Sequence, residues 1–148
     1  MTAESSSPQD TAILIEAMKS RTAGTLMERM EIELLEVTPD RIVGRMPVTG
    51  NTQPYGLLHG GASAVLAETL GSIGSVLHAQ KDGRIAVGIE LNCSHHRAAH
   101  SGFVTGVATP VSRSRSLATF DIEIFDDQER KICTCRLTCM LRDAPPHA

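Results

Sequence analysis

Aromatic side chains are scarce in this chain, which has no tryptophan, one tyrosine and three phenylalanines among its 148 residues. Stacking on unpaired nucleobases needs aromatic platforms, and binding to a phosphate backbone needs a basic surface. The formal net charge is −3, so the composition supplies neither feature. No apolar run is long and pure enough to span a bilayer. We therefore expect neither a nucleic-acid partner nor a membrane partner.

Zinc-type cysteine spacing is also missing. Cys133, Cys135 and Cys139 share parity, which places them on one face of a strand. They can be read as metal ligands or as small, reduced core side chains, and the lack of a C-x-x-C pair favours the second interpretation. Together with an N-terminus that lacks a basic and then apolar leader, reduced cysteines predict a cytoplasmic protein without a metal site.

Turn signals and hydrophobic periodicity predict a single domain over residues 11–142, between polar tails at 1–10 and 143–148. A short helix is expected at Thr11–Arg21 and a long one at Gly60–Ala79. The expected strands are Glu31–Val37, Arg41–Val48, Ile85–His95, Phe103–Val111, Leu117–Phe125 and Lys131–Leu141. Because the later strands follow one another, hairpin-type links and an antiparallel sheet are favoured. The prediction is an α+β fold in which about six strands curve around the long helix.

The long helix has two contrasting faces when it is wound at about 100° per residue. The large aliphatic side chains fall on one broad side and suit the concave face of a sheet. Tiny residues form an opposite stripe, for which we expect close approach by another element or a ligand. The members of this stripe are Gly60, Ala64, Ala67, Gly71 and Gly74.

Glu68 is the only residue of this helix that is always charged, and no Lys or Arg lies within helical reach of it. A carboxylate in an apolar run is either hydrogen-bonded structurally or has a chemical task, and Ser72 lies one turn away from it. Gly60 and Gly61 begin the helix, where unpaired backbone N–H groups can bind a developing oxyanion. An oxyanion site and a carboxylate base fit acyl transfer to water.

The segment NTQPYGLLHGGASAVLAETLGS resembles the signature of hotdog-fold thioesterases. It is most similar to the acyl-CoA branch that includes the phenylacetate-pathway, Arthrobacter-type 4-hydroxybenzoyl-CoA and dihydroxynaphthoyl-CoA enzymes. The resemblance runs from about Met30 to Leu141 and implies a hotdog fold with a short N-terminal helix. It also implies hydrolysis of an aryl- or medium-chain acyl-CoA, with coenzyme A only as part of the substrate and no other cofactor.

The resemblance also implies roles for individual residues. Glu68 would act as nucleophile or general base, and the Gly60 N–H would polarise the thioester carbonyl. The residues that would orient the thioester or the water are Gln53, His59 and Ser72. Those that would contact the CoA nucleotide are His95, Arg97, Arg113, Ser114 and Arg115. Each site would lie between two subunits, so the active unit would be a homodimer, and dimers would pair into a homotetramer.

Two other functions remain open from the sequence. The domain could be a non-catalytic acyl-CoA-binding module, or a hotdog enoyl-CoA hydratase. No Gly-Asp-x-Asn-Pro hydratase motif is present, which disfavours the second. His96 and His100 add titratable groups near the expected CoA segment, and we expect them to be exposed rather than bound to phosphate.

Overall fold

The computed structural model describes residues 8–145, in which six strands form one sheet around a long helix. The helices are α1 (Pro8–Lys19), α2 (Leu26–Arg29) and α3 (Gly60–Ala79), and a 3-10 turn at Gln80–Asp82 follows α3. The strands are β1 (Glu33–Thr38), β2 (Arg41–Pro47), β3 (Arg84–His95), β4 (Phe103–Arg113), β5 (Leu117–Asp126) and β6 (Lys131–Asp143). The predicted α+β hotdog architecture is confirmed.

The strand order is β1-β2-β4-β5-β6-β3, and every neighbouring pair is antiparallel. The expectation of hairpin-type links between all the later strands is wrong for β3 and β4. β3 pairs with β6 instead, with Arg84 opposite Asp143 and His95 opposite Cys133. The chain after β3 therefore passes β6 and β5 before it enters the sheet again as β4, and β3 becomes an edge strand. This placement leaves one side of β3 without a neighbour within residues 8–145.

The helix and the sheet pack closely because large side chains on each surface lie over glycines on the other. Leu70 of α3 fills room that Gly44 and Gly106 leave on the sheet, where a methyl group would lie 2.8 Å and 2.7 Å from its Cδ atoms. In return, a methyl group on Gly74 would lie 2.5 Å from Phe120 Cε1, and one on Gly71 would lie 2.7 Å from a Leu137 methyl. Contact across this layer thus needs glycine on both sides.

The predicted close approach of another element to the tiny stripe is observed at Gly71 and Gly74, but the expected orientation of the stripe, opposite the sheet, is wrong there. These glycines face the sheet of their own chain, because inward side chains as large as Phe120 need a hollow in the helix surface. The large residues Val65, Ile73 and Val76, which we expected to lie against the sheet, are only half-buried.

Element boundaries differ slightly from the predictions. α1 begins at Pro8, so residues 8–10 belong to a helix rather than to the tail, and β6 extends to Asp143. The four-residue helix α2 was not predicted, because it is too short to show periodicity. Residues 1–7 and 146–148, which carry the rest of the predicted tails, lie outside the described residues. Between residues 8 and 145, no helix combines the length and apolarity needed to cross a membrane.

Candidate active site

The loop that leads into α3 is held in place by Asn51. Its side-chain amide donates to the carbonyl oxygens of Pro47 (2.8 Å) and Met30 (3.0 Å), and its own carbonyl accepts from the His59 N–H (2.9 Å). The Leu58 N–H donates to the carbonyl of Ala99 at 2.8 Å. These bonds attach the loop to β2 and to the segment after β3, which fixes the position at which α3 begins.

His59 caps the N-terminus of α3. Its Nδ1 accepts a hydrogen bond from the Gly61 N–H at 2.8 Å. Because the accepting nitrogen carries no proton, the neutral ring carries its proton on Nε2. His59 therefore stabilises the helix with one nitrogen and keeps a donor on the other, which is compatible with its predicted role in orienting a substrate.

A cavity of about 430 Å³ opens beside this helix start. The loop, α3, the segment after β3 and β6 all contribute to its wall: Gln53, Leu57, Leu58, Gly60, Ser63, His95, His96, Arg97, Ala98, Ala99 and Ile132. Four predicted site residues, Gln53, Gly60, His95 and Arg97, therefore come together here.

Gly60 is the first residue of α3 and lines this cavity. A methyl group at this position would lie 3.0 Å from Nε2 of the exposed His95 ring, so the ring packs closely against the helix start. The Gly60 N–H has no acceptor within residues 8–145, as expected for the first turn of a helix. It is thus free to bind an oxygen with partial negative charge, which the helix dipole favours.

The side chains around Gly60 differ in how many partners they have. Gln53 accepts from the Tyr55 N–H through Oε1, which leaves its amide N–H groups to donate. His96 is hydrogen-bonded to Thr134 Oγ1 at 2.8 Å and is exposed, as predicted. Arg97 is also exposed, and its guanidinium makes no ion pair with any residue that the structure describes.

Glu68 lies away from this cavity. It is exposed, and its carboxylate has no hydrogen bond or ion pair within the described range 8–145. It lies against the backbone of β3, where a methyl group on Gly88 would be 2.9 Å from its Oε1. Eight residues of helix separate it from Gly60, about 12 Å along the axis. Ser72, one turn further on, is half-buried. One chain therefore does not bring the predicted base and the predicted oxyanion donor together.

The predicted CoA residues of the β4–β5 hairpin lie at the other end of α3. There a cavity of about 740 Å³ is bordered by Arg113, Ser114 and Arg115, with His78 from the last turn of α3. Arg113 donates to the Pro39 carbonyl and to Asp40 Oδ1, both at 2.8 Å. The Ser114 hydroxyl accepts from the Leu117 N–H. Of the three, only Arg115 has a side chain without a partner among the described residues.

Some residues at these sites were missed by the sequence analysis. Gly88 carried a usable signal, because glycine inside a strand often marks a close approach by another group. Ser63 and Ile132 carried none, since small and aliphatic residues look alike wherever they face.

The comparison with known protein families gives a match over residues 55–133 to the model described as the thioesterase superfamily. The chain belongs to the thioesterase superfamily. This thioesterase is 46% identical over 125 residues to the proofreading thioesterase EntH of Cronobacter turicensis, a match that covers 84% of this chain and 90% of EntH. The corresponding EntH protein of Cronobacter sakazakii is 44% identical with the same coverage.

Solved structures give the same answer for the fold. A thioesterase from Haemophilus influenzae superposes with a TM-score of 0.84 at 32% identity, covering 90% of this chain and 94% of the other. A variant of a Pseudomonas aeruginosa thioesterase gives 0.82 at 34% identity, covering 86% and 92%. The protein is therefore a hotdog-fold enzyme that hydrolyses thioesters.

Proposed function

We propose that this thioesterase hydrolyses acyl-CoA in sites shared by two copies of the chain, with Glu68 from one copy and the cleft from the other. The observation that carries this proposal is the separation of Glu68 from Gly60. A nucleophile and the carbon that it attacks must approach to about 3–3.5 Å, and a general base must reach the attacking water. More than two helical turns separate Glu68 from Gly60 in one chain. A second copy of the chain is therefore needed to bring a Glu68 carboxylate to the Gly60 N–H.

Two contacts define how the second copy would bind. In one chain Glu68 lies against Gly88, and Gly60 lies against His95, so α3 and β3 run in opposite directions side by side. β3 is an edge strand, and Val87 and Ile89 on it are 41% and 55% exposed. Antiparallel pairing of two β3 strands about a twofold axis at Leu91 or Asn92 would place Gly88 within one residue of the position opposite the partner's His95.

This pairing has a direct chemical consequence. Glu68 contacts Gly88 of its own chain, and the partner's Gly60 contacts the partner's His95. Symmetric pairing would therefore bring each carboxylate to the other copy's helix start, and the dimer would hold two equivalent sites. The homodimer is thus the proposed active unit. The further pairing of dimers into a tetramer rests on the family resemblance.

The reaction follows from these groups. The thioester oxygen would accept the Gly60 N–H at the N-terminus of α3, where developing negative charge is stabilised. Glu68 of the partner would either attack the carbonyl carbon or remove a proton from an attacking water held near Gln53 and Ser72. The C–S bond then breaks, and the thiolate leaves and takes up a proton. On the general-base route this step releases the free acid directly; on the nucleophilic route it leaves a mixed anhydride on Glu68, which a water molecule hydrolyses to the free acid and the regenerated carboxylate. Neither route needs a cofactor.

The cleft also supports a CoA thioester as the substrate. His95 and Arg97 line it as possible partners for phosphate groups. Leu57, Leu58 and Ile132 supply apolar wall for an acyl group. Arg113, Ser114 and Arg115 remain candidates for nucleotide contacts. An aryl or medium-chain acyl group fits the family resemblance.

The test is thiol release from a panel of benzoyl-, hydroxybenzoyl-, dihydroxynaphthoyl-, phenylacetyl- and straight-chain CoA esters. Glu68→Gln should lower kcat on the best substrate about 10²–10⁴-fold, since it removes the base or nucleophile. The fold should be retained, because the exposed carboxylate has no partner among residues 8–145. Glu16→Gln, on the exposed face of α1, is the matched control and should leave kcat unchanged.

Three outcomes would contradict the proposal. Near-normal turnover by Glu68→Gln would exclude Glu68 as the reacting group. Tight binding of acyl-CoA by the wild type without thiol release would indicate a binding module, and hydration of crotonyl-CoA would indicate a hydratase.

A further inference from the structure

Three cysteines meet where β3 pairs with β6. Cys93 lies directly opposite Cys135, and Cys133 lies two residues before Cys135 on the same face. Their three sulfur atoms all lie within 4.8 Å of one another, and the Sγ atoms of Cys133 and Cys135 are 3.5 Å apart. All three thiols are free; Cys133 and Cys135 are buried and Cys93 is half-buried. The fourth cysteine, Cys139, is not part of this group.

This grouping differs from the one that the sequence indicated. Spacing along β6 connected Cys133 with Cys135 and Cys139, and no spacing rule could include Cys93, which is forty residues away in the chain. Only the β3–β6 register adds it. The lack of a C-x-x-C pair therefore does not count against a metal site built across two strands.

We propose that Cys93, Cys133 and Cys135 form a binding site for a thiophilic d10 cation such as zinc(II). Zinc–thiolate bonds are about 2.3 Å long, so sulfurs that share one tetrahedral ion lie about 3.8 Å apart. The three Sγ atoms are already close to this spacing. A small shift of side chains would place all three on one ion, with a water molecule in the fourth position on the side of the half-buried Cys93.

A bound cation would also suit the chemistry of the three side chains. It would replace the S–H protons and neutralise the sulfur charges, which otherwise make ionisation of all three thiols costly.

The site would lie behind the cleft without being part of it. Cys133 is opposite His95, and the His95 ring packs against Gly60. An ion bound there would join β6 to the edge strand β3. Because it would bind only where the two strands are paired, it would stabilise the folded chain over the unfolded one.

The experiment is a titration of the reduced, metal-free full chain with cadmium(II), which gives a thiolate-to-metal charge-transfer absorption in the ultraviolet. We expect saturation at one ion per chain, displacement by zinc(II), and a higher thermal midpoint with the ion bound. Cys93→Ala should weaken binding at least about tenfold, because one of three ligands is lost. Cys139→Ala, a matched substitution at a buried cysteine outside the group, should bind like the wild type.

Three results would overturn the site. They are no saturable absorption in the wild type, equal binding by Cys93→Ala, and ion binding without thiolate absorption, which would assign the ion to surface histidines. Circular dichroism verifies the fold of both variants. If Cys93→Ala fails to fold, alkylation of the half-buried Cys93 in the folded wild type replaces it. Unchanged cadmium binding after alkylation would equally overturn the proposal.

Discussion

His59 illustrates how a single residue can serve structure and chemistry with different atoms. Its Nδ1 caps α3 by accepting from the Gly61 N–H, which fixes the ring and its tautomer. Its N–H at Nε2 has no hydrogen-bond partner among the residues that the structure describes. Glu68 is the opposite case, since nothing within residues 8–145 fixes its carboxylate except the close approach to Gly88.

A second carboxylate, Asp126, is fully engaged and predicts a dependence of stability on pH. Hydrogen bonds from Arg130 and from backbone N–H groups hold the pKa of Asp126 below its ordinary value of 3.8. Its contribution to stability is therefore complete above that value and is lost as the pH falls through the lower, folded-state pKa. Asp126→Asn should lower the thermal midpoint at pH 7, and the difference from the wild type should shrink below about pH 4.

Thermal melts followed by circular dichroism between pH 2 and pH 7 check this prediction. Asp82→Asn serves as the control, because the Asp82 side chain has no hydrogen bond or ion pair within the described range. A gap between Asp126→Asn and wild type that stays constant over the whole range would show that the carboxylate charge contributes nothing.

Close packing of apolar side chains, rather than hydrogen bonds, holds α3 against the sheet. Leu66 and Leu70 are fully buried on the helix side, and Phe120, Ile122 and Leu137 are buried on the sheet side. Glycines occur where the opposite surface is bulky. In α3 a glycine costs about 1 kcal/mol of helix propensity relative to alanine, so its presence at position 74 indicates that space matters more there than propensity.

Gly74→Ala should therefore destabilise the protein despite the better helix propensity of alanine. The new methyl group would lie 2.5 Å from Phe120, which is fully buried and has no room to move. Overpacking of this kind costs about 1–3 kcal/mol in the free energy of unfolding. Urea denaturation measures it, with the half-buried Ser72→Ala as a helix control that should change stability little. An increase in stability for Gly74→Ala would refute the packing argument.

In one copy of the whole molecule, the proposed base Glu68 and the proposed oxyanion donor Gly60 lie at separate places along α3. The exposed edge of β3 is where the proposed second copy would bind. The proposed twofold dimer would bury the apolar side chains Val87 and Ile89 and would continue the sheet across both copies. Activity would then require the dimer, and it should fall at protein concentrations at which the dimer dissociates.

Mixing two inactive variants tests the shared site. Glu68→Gln lacks the base but keeps its cleft, whereas Gln53→Ala keeps the base and has a damaged cleft. A heterodimer of the two contains one intact site, so random pairing of equal amounts should restore about a quarter of wild-type kcat. The measurement is thiol release by co-expressed or co-refolded chains. No recovery in a mixture shown to contain heterodimers would mean that each site belongs to one chain.

Local sequence patterns determined most of the fold. The bounds of α3 were predicted without error, because caps, periodicity and the polar loop before it all agree on Gly60–Ala79. Each predicted strand is present within a few residues, since alternation and turn residues are local signals. The hotdog class and the thioesterase family followed from the residues around the Gln53–Ser72 segment.

Tertiary structure decided what local patterns cannot contain. The pairing of β3 with β6 depends on contacts between distant residues, and it alone made β3 an edge strand and brought Cys93 to Cys133 and Cys135. The direction of the small stripe depended on where Phe120 and Leu137 are bulky, which a helix sequence cannot show. The separation of Glu68 from Gly60 is fixed by helix geometry, but which surfaces surround each of them is a property of the folded chain.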